Sequence, residues 1–427
     1  MSGSPHGVFG ADQPFAAAGL TEGHSGCPTD YARHHPDDRQ SHAHASLQDR
    51  QSTLLTAATR GLVIYNLRGI RVIVEASPMR KLVETAVIGM LLCASTSVVA
   101  GQRGPAAAGA CDRACLLGIA DTYLAALVAH DPSKAPMAPN AKFSEQAKML
   151  PVGDGLWKSA VEGPTTFKIP VPDPIAGQIG LIVMMKASAS AFPAPPGRGG
   201  APAAADTGPA AIQLALRLKV QNRQITEAEH IIARIANAGQ LANLQTPRPG
   251  LLATVPPAER SPRNLMLLIG NSYYDSIVQS DGDATPYADD CGRRENGMHT
   301  AGVGAPPPVP GAPPGPGGFG PPQSCYENMR SRVLSYITSI DLRRVWIADE
   351  EKGLVFGLTM FRQPMEPKSV TILNKDGTTT ERPMNFNAFD LEAAHIFKIR
   401  GGKLHEIEAM GFTLPLNSKN GWSPFTR

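Results

Sequence analysis

Residues 121–147 align without a gap to residues 271–297, and this recurrence limits the fold more than any other feature of the sequence. Tyr123 meets Tyr273, Val128 meets Val278, Asp131 meets Asp281, Pro136 meets Pro286, Ala138 meets Ala288 and Glu145 meets Glu295. Thr122/Ser272, Leu127/Ile277 and Gln146/Asn296 are chemically alike. Further along, Lys219-Val220 and Ile225-Thr226-Glu227-Ala228-Glu229 correspond to Lys398-Ile399 and Leu404-His405-Glu406-Ile407-Glu408. A helix, an Asp-Pro turn, a short acidic strand and a hairpin of long strands therefore follow in the same order twice. That order argues for two related α+β halves.

Local patterns fill in each half. Leu116, Ile119, Ala120, Tyr123 and Leu127 fall at helical spacing within 111–129, and Asp131-Pro132 ends the run. A short strand about Lys142–Glu145 and a turn into a short helix at Gly153–Trp157 follow. Alternation predicts strands at 165–171, 178–188 and 211–221, and a fourth from Ile225 to Ala233 after the turn Asn222-Arg223-Gln224. In the second half Ser261-Pro262 supplies an N-cap and a first-turn proline for a helix from Arg263 to about Gln279. Strands are expected at 341–349, 353–361, 391–399 and 403–412, with Gly401-Gly402 as the last turn. Segments 193–209, 245–260 and 302–323 are rich in Pro and Gly and read as loops. The expected domains are 111–240 and 262–427, joined by a linker over 241–261.

Met79-Arg80-Lys81, an apolar run over Leu82–Val99 and small residues ending at Ala100 form the three parts of a secretory signal peptide. A transmembrane anchor and a buried helix are the rival readings; Glu84 and the Ser/Thr residues from Ser95 make the run short and impure for an anchor. Residues 1–78 then read as a disordered or non-native upstream extension, with translation starting at Met79. The expected location is secreted or periplasmic, with no stable anchor after cleavage. In an oxidising compartment Cys111, Cys115, Cys291 and Cys325 form an even set. Cys291 and Cys325 bracket the 302–323 segment and are expected to pair, with Cys111–Cys115 the default second bridge. No CxxC pair exists, and the His-rich stretch from His34 to His44 lacks Cys or Glu at ligand spacing, so neither a metal nor another cofactor is expected. A net charge of +3 without a dense Lys/Arg run argues against nucleic-acid and membrane-surface partners.

The mature chain resembles secreted fungal and bacterial proteins grouped as a domain of unknown function. The resemblance rests on Cys111-Asp112-Arg113-Ala114, on Asp121-x-Tyr123-Leu124-Ala125-Ala126, on Phe143-Ser144-Glu145, on Glu259-Arg260-Ser261-Pro262-Arg263 and above all on Cys291-Gly292-Arg293-Arg294-Glu295-Asn296-Gly297. Each half also resembles the cone of the nuclear transport factor 2-like (SnoaL-like) superfamily, a helix seated in a strongly curved antiparallel sheet. The resemblance implies two tandem cones. It leaves activity open, because such cones host isomerases, dehydratases, cyclases and plain binding modules.

No phosphate loop, GxSxG elbow or HExxH motif is present; His405-Glu406 lacks the second His and reads as strand. In enzymes of the resembled superfamily a carboxylate at the end of the first short strand acts as general base, and Glu145 and Glu295 hold that place. Arg293 or Arg294 close to Glu295 favours an ion pair instead. Asn296, Tyr273, Tyr123 and His299 are candidate binding residues, with His299 expected to be exposed. Glu227 with Glu229, and Glu406 with Glu408, share strand faces and read as solvated. Three functions compete: a small-molecule binder with its pocket in the second cone, a cofactor-free lyase, dehydratase or isomerase using a pocket Glu, and a structural or interaction module.

Overall fold

The computed structural model describes residues 62–67, 70–75, 110–191, 208–303 and 323–422. The chain forms two compact units, Met1–Val98 and Val99–Arg427. In the first, β1 (Leu62–Leu67) pairs antiparallel with β2 (Ile70–Glu75). The signal-peptide pattern at 79–100, the rest of 1–78, and most of the segments 193–209 and 302–323 lie outside the described residues.

The second unit is mixed α+β. Its first half runs α1 (Arg113–Val128), β3 (Met137–Glu145), β4 (Lys148–Leu150), α2 (Leu156–Ser159), β5 (Ala160–Glu162), β6 (Lys168–Asp173), β7 (Gln178–Ala187), β8 (Ala210–Gln221) and β9 (Gln224–Arg234). The strand order is β4-β3-β9-β8-β7-β5, with β6 also on β7, and only β3–β9 is parallel. Two short helices, α3 (Ala238–Asn243) and α4 (Pro249–Leu252), lead to the second half. There α5 (Arg263–Gln279), β10 (Tyr287–Glu295), β11 (Met298–Gly302), α6 (Cys325–Arg330), β12 (Ser339–Asp349) and β13 (Leu354–Gln363) precede a small hairpin, β14 (Ser369–Leu373) with β15 (Thr379–Pro383). Then come β16 (Phe389–Arg400) and β17 (Lys403–Leu414). The second sheet has the order β11-β10-β17-β16-β13-β12, and its β10–β17 pair is again the parallel one.

Three pairs of residues that recur in sequence make matching contacts. Pro136 O accepts from Ile225 N at 2.8 Å, and Pro286 O from Leu404 N at 2.9 Å. Asp131 accepts from Ser133 N, and Asp281 from Asp283 N, each starting a one-turn 3-10 helix. Gln146 and Asn296 both have positive φ, and each clamps a strand backbone through two hydrogen bonds, Gln146 to Ile232 and Asn296 to Gly411. Asn296 is thereby committed to the backbone of β17.

Three apolar layers hold the unit. The first sheet curls over α1, with Leu116, Tyr123 and Leu127 against Leu181, Leu214 and Leu216. The second curls over α5, with Met266, Tyr273 and Ile277 against Val355, Phe397 and Ile407. The outer faces of the sheets meet back to back through Ile182, Ala215 and Ile231 on one side and Ile347, Phe356 and Ile396 on the other. Each Leu, Ile, Val, Phe or Met side chain fully buried there contributes about 1.5–3 kcal/mol.

Covered outer faces correct two expectations. Glu229 and Glu408 are buried, not solvated, because period-2 alternation cannot reveal that a sheet's second face is also packed. Ser261 does not cap α5; its Oγ accepts from Gly402 N at 3.0 Å, and Glu350 accepts from Arg263 N at 2.7 Å in the first turn instead. The expected disulfides, Cys111–Cys115 and Cys291–Cys325, are both formed. Among the described residues no helix is long and apolar enough to cross a membrane, and no three His, Cys, Asp or Glu side chains group as metal ligands.

Candidate functional site

In the first half, the parallel register of β3 and β9 sets Glu145 beside His230. His230 Nδ1 lies 3.1 Å from Glu145 Oε2, and His230 Nε2 lies 2.9 Å from the Tyr123 hydroxyl. Both oxygens of Glu145 also accept from Leu156 N. Gly155 has positive φ, and a Cβ there would sit 2.2 Å from Glu145 Oε1, so this turn closes directly on the carboxylate. Trp157 packs edge-on against Tyr123 at 5.0 Å and Phe143 against His230 at 4.9 Å. All five side chains are buried. Burial holds the Tyr123 phenol well above its ordinary pKa. The result is a closed Tyr–His–Glu chain that ties α1, β3 and β9 together.

The second half places different groups at the same level. Arg293, on the inner face of β10, is wholly buried. Its Nε donates to Thr300 Oγ1 at 2.8 Å and lies 3.0 Å from Glu295 Oε1. Its Nη2 donates to Asn328 Oδ1 at 2.9 Å, and its Nη1 is 3.5 Å from the Tyr273 hydroxyl. Burial alone would lower the guanidinium pKa, but the facing oxygens of Tyr273 and Glu295 hold it above its ordinary value. Burial pushes Tyr273 up to about 12. The Cys291–Cys325 bridge joins β10 to α6, and α6 carries Asn328, so the disulfide fixes two of the elements that grip Arg293. Unlike Glu145, Glu295 is 37% exposed and receives one ion pair.

Deeper in the same interior, the His395 ring stacks between Phe361 and Phe397, 5.6 Å from each, with Tyr273 and Tyr274 alongside. Burial pushes His395 down to about 3, so the imidazole is neutral at physiological pH. His395 Nδ1 is buried without an aligned hydrogen-bond partner, while the buried Tyr274 and Thr359 hydroxyls interact with each other. Gly357 makes room for Tyr274: a Cβ there would lie 3.1 Å from its hydroxyl.

Of the residues singled out in the sequence, Tyr273, Arg293 and Glu295 come together, and Tyr123 is linked to Glu145 through His230. Asn296 does not join them. His299 is half-buried rather than exposed; its Nε2 lies 3.0 Å from Ala301 O, and burial pushes its pKa down. Sequence reasoning missed His230, His395, Thr300 and Asn328. Each histidine sits in a long, largely apolar strand, and its place on the inward-facing register is the one signal that could have marked it.

Residues 259–411 match the family model of a domain of unknown function (DUF8021), part of the span 111–422 over which the chain resembles such a family. Among solved structures the chain is similar to AclR from Streptomyces galilaeus, described as a candidate hydroxylase, at 14% identity over 34% of this chain and 92% of that one, with a TM-score of 0.22. No curated protein matches the chain.

Proposed function

We propose that this is an exported small-molecule-binding protein, built as two tandem cones of the nuclear transport factor 2-like kind, with its ligand site inside the second. Export is supported by the signal-peptide pattern and by two disulfides outside it. The observation that carries the binding reading is the contrast between two equivalent carboxylates. Glu145 is enclosed by His230, Leu156 N and Gly155. Glu295 reaches solvent beside a fully buried cation, and the interior behind it holds the unmatched His395 Nδ1 beside a buried pair of hydroxyls, Tyr274 and Thr359. Native interiors satisfy such groups, so unmatched ones mark where a ligand or water bonds. Binding is favoured over proton abstraction, because Glu295 is already ion-paired and the neutral His395 is too weak a base to accept a proton near pH 7.

Native mass spectrometry of protein purified from its source, followed by denaturation, tests the proposal. A small molecule should be released, and Glu295→Gln should weaken its retention with little change in melting temperature. No released molecule, together with a large loss of stability in Glu295→Gln, would show that Arg293–Glu295 only pins β10.

A further inference from the structure

A second concavity lies away from the interior of either sheet. The segment Arg248–Glu259 crosses the outer faces of β10, β16 and β17 and leaves a half-open pocket of about 450 Å³. That volume suits a small ligand. Its polar lining is mostly charged. Arg248 Nε lies 3.2 Å from Glu406 Oε2 at one end. At the other, Arg400 bridges Glu259 at 3.1 Å and Asp290 at 3.0 Å, and His405 Nδ1 lies 2.5 Å from Asp290. Between them Lys398 Nζ donates to the carbonyl oxygens of Ala253 and Lys352. Val255 and Pro256 supply an apolar wall.

Three cations, Arg248, Lys398 and Arg400, thus face three carboxylates, Glu259, Asp290 and Glu406. Lys398 is held by two carbonyl oxygens rather than by a carboxylate; a ligand with a net charge must break one of the arginine pairs or upset the balance of three cations against three carboxylates, and either is costly. A hydroxyl group need not. It donates to the carboxylate and accepts from a spare N–H of the cation, so adjacent hydroxyls on a ring can bridge an intact pair. Arg400, which is 40% exposed and bonded through Nη1 to Glu259 and Nη2 to Asp290, is the cation whose further N–H groups can serve this way. Gly250 packs directly against the Glu406 carboxylate, where a Cβ would fall 1.7 Å from Oε1, so only a glycine lets the chain cross so close to this pair.

We infer that this pocket binds a neutral polyhydroxylated ligand, a mono- or disaccharide, by bridging hydrogen bonds to the intact pairs Arg248–Glu406 and Arg400–Asp290. This site is separate from the one proposed inside the second cone. Saturation-transfer NMR on the full chain with cellobiose and maltose tests it, with succinate as a dianion and spermidine as a polycation. At least one sugar should show saturable transfer, and neither ion should compete. Asp290→Asn and Arg400→Gln alter half-exposed side chains, so the fold should persist; each should weaken sugar binding roughly tenfold or more, the effect of one lost charge-assisted bond. Glu295→Gln should leave sugar binding unchanged, which keeps failure here distinct from failure of the cone site. Absence of transfer from both sugars, competition by succinate or spermidine, or sugar binding indifferent to both pocket variants would overturn the inference.

Discussion

Arg344, on the edge strand of the second sheet, donates through both Nη atoms to both carboxylate oxygens of Glu229 on the first, at 2.5 Å each. Arg217 Nε donates to the same carboxylate at 2.9 Å, and the Trp422 ring lies 4.7 Å from the Arg217 guanidinium. Burial would raise the Glu229 pKa, but the two guanidinium groups bring it below the usual carboxylate range. One buried anion therefore holds two cations, one from each half.

Glu229→Gln should destabilise the protein by about 3–5 kcal/mol, because it leaves the nearly buried Arg344 without its carboxylate, although Arg217 keeps its pair with Glu227. Urea denaturation monitored by tryptophan fluorescence reads this directly. A loss below about 1 kcal/mol, the range of surface pairs, would mean that water reaches the cluster.

Glu392 lies in the same interface. It is buried, and burial first, then the nearby negative charge of Glu229, pushes it up to about 8, against the lowering effects of Arg344 and of the Ala147 backbone. Its folded pKa thus exceeds its ordinary value of 4.5. The folded state holds a proton that the unfolded chain releases, so this contribution is complete below pH 4.5 and is lost as pH rises toward 8. Glu392→Gln, which mimics the protonated form, should match the parent at pH 4.5 and exceed its stability by about 1–3 kcal/mol at pH 8.5. Urea midpoints at the two pH values check the sign; a variant less stable at the higher pH contradicts it.

Much of this architecture was legible because its signals are local. The helical spacing of Leu116, Tyr123 and Leu127, the turns at Asn222-Arg223 and Gly401-Gly402, and the alternation along the long strands follow from backbone sterics and one-sided burial. The hairpin β14–β15 was overlooked although Asp376-Gly377 marks its turn. What sequence could not supply was what covers a face. Glu229 and Glu408 alternate like solvent-facing acids, and only the opposing sheet or the Arg248 segment makes them internal. The site was legible in part for the same reason: Arg293 and Glu295 lie two apart on one strand, whereas Thr300, Asn328 and His395 reach them through strand pairing and a helix tied down by a disulfide.

Gly180 of β7 packs beneath the Phe356 ring of the opposite sheet, and a Cβ added at Gly180 would lie 2.3 Å from two ring atoms. Both residues belong to the back-to-back contact, where overpacking costs about 1–3 kcal/mol. Gly180→Ala should show that loss, and Phe356→Leu in the same chain should recover part of it. A double-mutant cycle measures the coupling, and simple additivity would show that the sheets move apart freely.

The two disulfides should differ in what they contribute. Cys111–Cys115 spans a separation of 4 residues and Cys291–Cys325 one of 34. Loop-closure entropy assigns about 2 kcal/mol to the first and about 4 kcal/mol to the second. The longer bridge also fastens α6, and with it Asn328, to the strand that carries Arg293, so its loss should loosen the grip on the buried guanidinium as well as the fold. Paired alanine substitutions at each bridge, compared by urea denaturation, should rank Cys291–Cys325 as the costlier loss, and native mass spectrometry should show retained small molecule reduced in that variant alone. Equal losses, or ligand retention independent of the longer bridge, would place α6 outside the site and leave Thr300, Tyr273 and Glu295 to hold Arg293 without it.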